Sequence, residues 1–235
     1  MQEKEDLIID KCIKWINKGT YKSNKKLPSE NELADKLDVP RIIIRRAYER
    51  LDLMGYTYSK QGKGRFVRSR KDKISLILSG KESFTEKIEG LGHKLETRLI
   101  NVKKIEYNEE IYNSLILEQR DIVYKISRLR IVNNEPMAIH SSYVSAASFP
   151  NILKDSENIK SMFEYHARQG YTNLTSSSSI LYIAYPNAKE RKILDCQALV
   201  PLLTLESNCI DKDTGRVLEH TVIKYRSDCF DYIIG

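Results

Sequence analysis

The 235 residues predict an α+β chain in two parts. Three observations carry this. Between residues 27 and 67, a short helix, a tight turn and a longer arginine-bearing helix run into a glycine-bearing hairpin. After that stretch, alternating strand patterns mix with short capped helices. The charge divides at the same place. Residues 1–72 hold 18 Lys/Arg against 11 Asp/Glu, and residues 73–235 hold 21 against 21. All of the net +7 therefore lies in the first third, which points to a polyanion as its partner.

Residues 6–18 set Ile8, Ile9, Cys12, Ile13 and Ile16 on one helical face. Gly19 stops that helix, and residues 21–26 form a polar, basic loop. Ser29 and Glu32 make a capping box for a second helix of barely two turns, with Leu33, Ala34 and Leu37 as its apolar face. A third helix spans residues 41–54 and ends at Gly55. Ile44, Ala47, Tyr48 and Leu51 lie on one side of it, and Ile42, Arg45, Arg46 and Glu49 on the other. Arg41 joins Arg45 in its first turn. Two β-prone runs, residues 56–59 and 65–67, then flank the basic turn Lys60-Gln61-Gly62-Lys63-Gly64. Arginines on such a helix can grip phosphate or read guanine, and glycines at the hairpin tip permit close approach to a backbone.

This order resembles the winged helix-turn-helix head of the GntR family of bacterial regulators. The matching residues are Leu27-Pro28-Ser29-Glu30, Glu32-Leu33-Ala34, Val39, Arg41, Arg45, Ala47, Leu51, Gly55 and Gln61-Gly62-x-Gly64-x-Phe66-Val67. The resemblance implies double-stranded operator DNA as partner. Contacts are expected from Ser29, Asn31, Arg41, Ile42, Arg45 and Arg46, and from Gln61, Gly62, Lys63 and Gly64 of the wing. The chain departs from the family pattern at Asn31 (usually arginine), Asp38 (glycine), Pro40 (serine), and Ile42 and Ile43 (threonines). Without the serine, either Pro40 or Asp38 has to start the recognition helix. Asn31, Pro40, Ile42 and Ile43 are expected to face or frame the groove, so the operator read differs from the common family one.

Residues 69–73 read as a linker and residues 74–78 as a short strand. A helix follows, capped by Ser83 or Thr85, whose first amides could meet an anion. Next come a strand (96–105), a capped helix (108–115) and a strand (122–132) with Arg128 and Arg130 on one face. The turn Asn133-Asn134 leads into a strand (137–144). The remainder reads as a helix (159–169), a strand (177–184), a helix with a capping box (187–194), and a final hairpin of residues 202–211 and 216–225.

This second part resembles the UTRA domain of the HutC branch of the same family. The carrying residues are Ser83-Phe84-Thr85, Arg128-Leu129-Arg130, Glu135-Pro136, Tyr143, Phe149-Pro150, Pro201-Leu202-x-x-Leu205-Glu206, Asp211-x-x-x-Gly215, Glu219 and Tyr225-Arg226-x-Asp228. The resemblance implies a mixed α/β domain of chorismate-lyase-like topology, a small-molecule effector and a homodimer. Effector contacts are expected from Ser83, Phe84, Thr85, Arg128, Arg130, His140, Tyr143, Glu219 and Tyr225. His140 stands where sugar-phosphate-binding members generally have glutamate. Two arginines inside a sheet need an anion, supplied either by a ligand or by Glu206 or Glu219. The domains expected are 1–68 for DNA, 69–78 as linker, and 79–235 for effector and dimerisation.

No apolar run approaches the ~20 residues of a membrane helix, and the N-terminus is no secretory signal, so a cytoplasmic protein with no membrane partner is expected. Cys12, Cys196, Cys209 and Cys229 have no metal-site spacing and read as buried or idle thiols. No metal and no cofactor are expected. No zinc-protease, nucleophile-elbow or Walker motif is present. The sequence thus predicts a ligand-responsive transcription regulator. It would be a repressor, released from a pseudo-palindromic operator by a small anionic metabolite such as a sugar phosphate. The alternative is an enzyme of chorismate-lyase-like topology tethered to a DNA-binding head.

Overall fold

The computed structural model describes residues 2–68, 73–77, 82–176 and 179–233. They form two compact units, Met1–Lys73 with Tyr185–Pro201, and Ile74–Ala184 with Leu202–Gly235.

The first unit begins with α1 (Gln2–Asn17), α2 (Glu30–Leu37) and α3 (Arg41–Leu53), followed by the hairpin β1 (Thr57–Lys60) and β2 (Gly64–Val67). Helix α1 starts a turn earlier than its apolar spacing indicates, because Glu5 and Asp6 pair with Arg50 of α3. The capping box of α2 is formed. Glu32 N donates to Ser29 Oγ at 3.2 Å, and Ser29 N to Glu32 Oε2 at 2.7 Å. Asp38 does not cap α3. It closes α2 instead, with φ +49 and its N–H on Ala34 O. Pro40 heads α3 with no side-chain cap, and its carbonyl accepts from Ile43 N. Ile8, Ile9, Cys12, Leu33, Ile44, Ala47, Tyr48 and Leu51 pack into one core. Ile43 belongs to that core too and is only 4% exposed, so it does not face the groove. In a helix, residues one apart point about 100° from each other. The groove side is therefore Ile42, and the core side takes Ile43.

The second unit is built on a seven-stranded antiparallel sheet. Its strands are β4 (Leu95–Lys104), β5 (Val123–Val132), β6 (Glu135–Ser145), β7 (Leu174–Ser176), β8 (Ile180–Ala184), β9 (Leu202–Asp211) and β10 (Val217–Arg226). Their order is β4-β5-β6-β10-β9-β7, with β8 also on β9. Asn133 and Asn134, both at positive φ, make the tight β5–β6 turn. Of the expected strand 177–184, β8 takes residues 180–184 and residues 177–178 lie outside the described residues; β7, which the sequence pattern did not reveal, precedes it, and both pair with β9. The expected helix over 159–169 is shorter. Ser161 caps α7 (Met162–Arg168), while α6 (Ile152–Asp155) and a 3₁₀ turn (Ser156–Asn158) precede it. The two remaining helices are α4 (Phe84–Gly90), capped by Ser83, and α5 (Glu109–Leu115), capped by Asn108. The strand β3 (Ile74–Ile77), expected inside the linker, pairs in parallel with β11 (Phe230–Ile233), an element the sequence pattern did not reveal. Of the expected linker, residues 69–72 and 78 lie outside the described residues.

Between β8 and β9 the chain forms α8 (Ala188–Leu194), boxed by Asn187 and Glu190. By packing, residues 185–201 group with the first unit. Leu199 N donates to Leu53 O at 2.9 Å, closing the end of α3.

Candidate functional site

Helix α3 presents Arg41, Ile42, Arg45 and Arg46 to solvent while its opposite side fills the core. Ile42 is 48% exposed, an apolar surface among cations. Arg41 Nε donates to Glu30 at 2.9 Å and Arg45 Nε to Glu49 at 3.0 Å. Such exposed pairs are weak and salt-screened, so a phosphate can exchange with the carboxylates at little cost. Ser29 and Asn31 are also exposed at the start of α2. At the hairpin tip Gln61, Gly62, Lys63 and Gly64 are exposed, with both glycines at positive φ. Lys26 packs where a Gly64 side chain would sit. The hairpin is held to α3 by Arg65, which lies 5.0 Å over the Tyr48 ring and pairs with Asp52 at 3.0 Å. The sequence reading assigned Arg65 no role. Its burial makes it a strut rather than a DNA contact.

The second unit encloses a cavity of about 320 Å³ on one face of its sheet. Arg128, His140, Ile223, Leu205 and Leu181 form a single row across β5, β6, β10, β9 and β8 and all line it. Ser83 and Phe84 cover it from α4, and Ser161 and Met162 from α7. Both arginines are almost fully buried. Arg128 Nη2 donates to Ser142 Oγ at 2.7 Å, and its Nε has no partner. Arg130 donates to Thr97, to Lys160 O at 2.7 Å and to Thr85 Oγ1 at 3.1 Å, and lies 5.2 Å over the Phe84 ring. Its Nε is also unpartnered.

Among the described residues, neither guanidinium has a carboxylate in ion-pair contact. Glu206 accepts from Tyr182 at 2.6 Å, and Glu219 Oε2 lies 3.0 Å from His166 Nε2. Burial, then the charge of Arg128, pushes Arg130 down to about 9, so it stays charged at neutral pH. Burial also lowers Arg128, against the pull of Glu219. Burial alone would raise Glu219, but His166, Arg128 and Ser142 together hold it below the usual range. His140 is held far below its ordinary value by burial and then by the two arginines. Its ring is therefore neutral, with Nε2 unpartnered and Phe84 edge-on at 4.8 Å. A small anion fits this electrostatic setting, because two buried cations share one cavity and neither touches a carboxylate, Glu219 acting on Arg128 only from beyond ion-pair distance.

Of the expected effector residues, the fold brings Ser83, Phe84, Arg128, Arg130, His140, Glu219 and Tyr225 to the cavity. Thr85 reaches it through Arg130. Tyr143 does not. It packs with Tyr112, Leu115 and Val123 in a separate cluster. Missed residues include Lys87, one helical turn after Phe84, and Ser142, two strand positions from His140 and so on its face. Lys87 Nζ donates to Ile77 O at 2.8 Å, and burial lowers it. All four cysteines are free and buried; Cys209 lines the cavity, its thiol pushed up to about 12 by burial.

Comparison with known proteins matches residues 5–67 to the model for bacterial regulatory proteins of the gntR family, and residues 90–231 to the UTRA domain. The chain belongs to the GntR family of regulators. Among relatives of this GntR protein is the HTH-type transcriptional repressor NagR of Bacillus subtilis. It is 28% identical over 226 residues, covering 96% of this chain and 91% of NagR. The HTH-type regulator YurK of the same organism is 30% identical over 181 residues, 77% of this chain and 74% of YurK. In fold the chain is similar to PhnF of Mycobacterium smegmatis, with a TM-score of 0.63 at 20% identity, over 99% of this chain and 97% of that one. With both domains present, this GntR regulator is an effector-responsive DNA-binding transcription regulator. Among its described residues, no helix is long and apolar enough to cross a membrane, and no group of three His, Cys, Asp or Glu is placed to hold a metal.

Proposed function

We propose that this regulator is a cytoplasmic repressor that binds a pseudo-palindromic operator as a homodimer and leaves it when a small anionic metabolite enters the arginine cavity. The observation that carries the reading is the pair of buried arginines, neither in ion-pair contact with a carboxylate, inside a cavity the size of small-molecule sites. A phosphate or carboxylate group would supply the missing charge, with a sugar phosphate as the leading class. Arg128 and Arg130 would bind the anion, and Ser83, Thr85, His140, Glu219 and Tyr225 would orient the remainder. Arg41, Arg45 and Arg46 would meet the operator's major groove, with Ser29, Asn31 and Ile42 beside them and Gln61 to Gly64 along the backbone. The repressor sense follows what NagR is named for.

Binding of the promoter fragment beside its own gene, followed against salt, tests the head. Arg45→Ala should weaken binding about tenfold or more and lower the salt slope by about one. Undiminished, salt-insensitive binding sinks the operator reading. Turnover of a small molecule by the purified protein would favour the enzyme instead.

A further inference from the structure

We propose that the cavity holds a second subsite, a shelf of hydroxyls on β10, β9 and β7, which takes the uncharged half of a two-part ligand: a phosphorylated disaccharide rather than a single sugar phosphate. This rests on the anion reading of the cavity given above and names the class of ligand.

The cavity floor changes character along the strands. Its first row is Arg128, His140, Ile223, Leu205 and Leu181. Two positions along, Thr221 of β10 stands directly opposite Ser207 of β9. Two positions further, Cys209 of β9 stands opposite Ser176 of β7. Strand residues two apart share a face. Thr221, Ser207 and Ser176 accordingly line the cavity, and Ser179 joins them from just ahead of β8.

These hydroxyls are open to a ligand. Those at the arginine side of the cavity are already engaged. Ser83 and Ser161 cap α4 and α7, Ser142 accepts from Arg128, and Thr85 and Thr97 accept from Arg130. Ser127 and Ser141 face each other on the other side of the sheet, and their hydroxyls bond at 3.2 Å. Thr221 and Ser207 face each other in the same manner. Yet among the described residues neither of their hydroxyls makes a hydrogen bond, nor do those of Ser176 and Ser179. A hydroxyl both donates and accepts, so the shelf matches the hydroxyls of a sugar ring.

His140 independently points to a ligand of this kind. It is 5% exposed, lines the cavity between Arg128 and Ile223, and its Nε2 has no partner. A neutral imidazole beside two cations suits a hydroxyl and gives an ammonium no counter-charge. Glu219, in the row of Cys209, is already engaged by His166 at 3.0 Å. Distance then sets the number of rings. Arg128 on β5 and Ser207 on β9 are three strands apart, about 14 Å across the sheet. A single ring whose phosphate sits at the arginines ends over His140 and the apolar Ile223. A second ring joined to it arrives over Thr221 and Ser207.

Calorimetric titration of the full chain with inorganic phosphate, glucose 6-phosphate, sucrose 6-phosphate and trehalose 6-phosphate tests this. At least one disaccharide phosphate should bind about tenfold tighter than glucose 6-phosphate, as two added hydrogen bonds of ordinary strength would give. The double variant Ser207→Ala, Thr221→Val should remove that gain. Its affinity for glucose 6-phosphate should be unchanged, as should its melting temperature without ligand. Glucose 6-phosphate binding as tightly as both disaccharide phosphates overturns the shelf and leaves the arginine site standing. A double variant that weakens glucose 6-phosphate as much as the disaccharide phosphate also overturns the shelf. No binding of any of the four overturns the shelf together with the sugar-phosphate reading on which it rests. The comparison among ligands uses the wild-type chain, so it holds even where the variant fails to fold.

Discussion

Arg128 stands directly across from His140 in the β5–β6 ladder, so a buried cation and a neutral imidazole share the floor of the cavity. Burying a charge costs several kcal/mol, and for Arg128 the distant pull of Glu219 and one hydrogen bond to Ser142 offset that only in part. Arg128→Met should therefore leave stability equal or higher, while ligand binding is lost. Thermal unfolding with and without ligand checks both halves. A clear drop in melting temperature would make Arg128 a structural residue.

The same burial sets a pH dependence. His140 and His220 lie below their ordinary 6.5 in the fold, both chiefly through burial. As pH falls through 6.5 the unfolded chain takes up their protons first, so stability drops. Glu219 is held below 4.5 in the fold. Its contribution is fully present above 4.5 and is lost as pH falls through its lower folded value. The melting temperature should hold near neutrality, decline below about pH 6.5 and fall more steeply below about 4.5. His140→Gln should flatten the first decline. An unchanged decline would mean that His140 is already charged in the fold.

Ile42 and Ile43 separate the two sides of α3. Ile43 is core, so Ile43→Ala should cost roughly 2–5 kcal/mol of stability. Ile42→Ala should stay within about 0.5 kcal/mol and alter operator preference instead. Denaturant midpoints and competition between operator variants measure the two effects. Equal destabilisation by both changes contradicts the assigned faces.

Gly55 is fixed twice, by φ +76 and by Val200, whose Cγ2 would lie 2.8 Å from an added Cβ. Gly55→Ala should therefore destabilise by about 1 kcal/mol or more, read from thermal unfolding. A neutral change would show that residues 199–200 yield readily at the end of α3.

Much of this was legible because local rules act within a few residues. The capping boxes at Ser29 and Asn187, the Asn133-Asn134 turn and the arginine face of α3 depend on neighbours three or four positions away, which a sequence displays. Arg128, Arg130 and Glu219 came through family resemblance, and the fold brings them together. The rest required tertiary contacts. Strand β11 is four residues long and exists because β3, more than 150 positions earlier, pairs with it. Tyr143 is a separate case: it lies three positions from His140 on β6, so strand alternation turns it to the opposite face, where it packs with α5, while Tyr225 shares the face of Ile223 and His140. Asp38 has the chemistry of an N-cap, yet its left-handed backbone commits it to ending α2.

The central claim couples the arginine cavity to operator binding. The direct measurement is operator affinity with and without a ligand that raises the melting temperature in a thermal-shift screen of sugar phosphates and carboxylates. A coupling of ~1–3 kcal/mol would weaken operator binding by about tenfold, and Arg128→Met would abolish the change. A ligand that binds the cavity and leaves operator affinity unaltered contradicts the account.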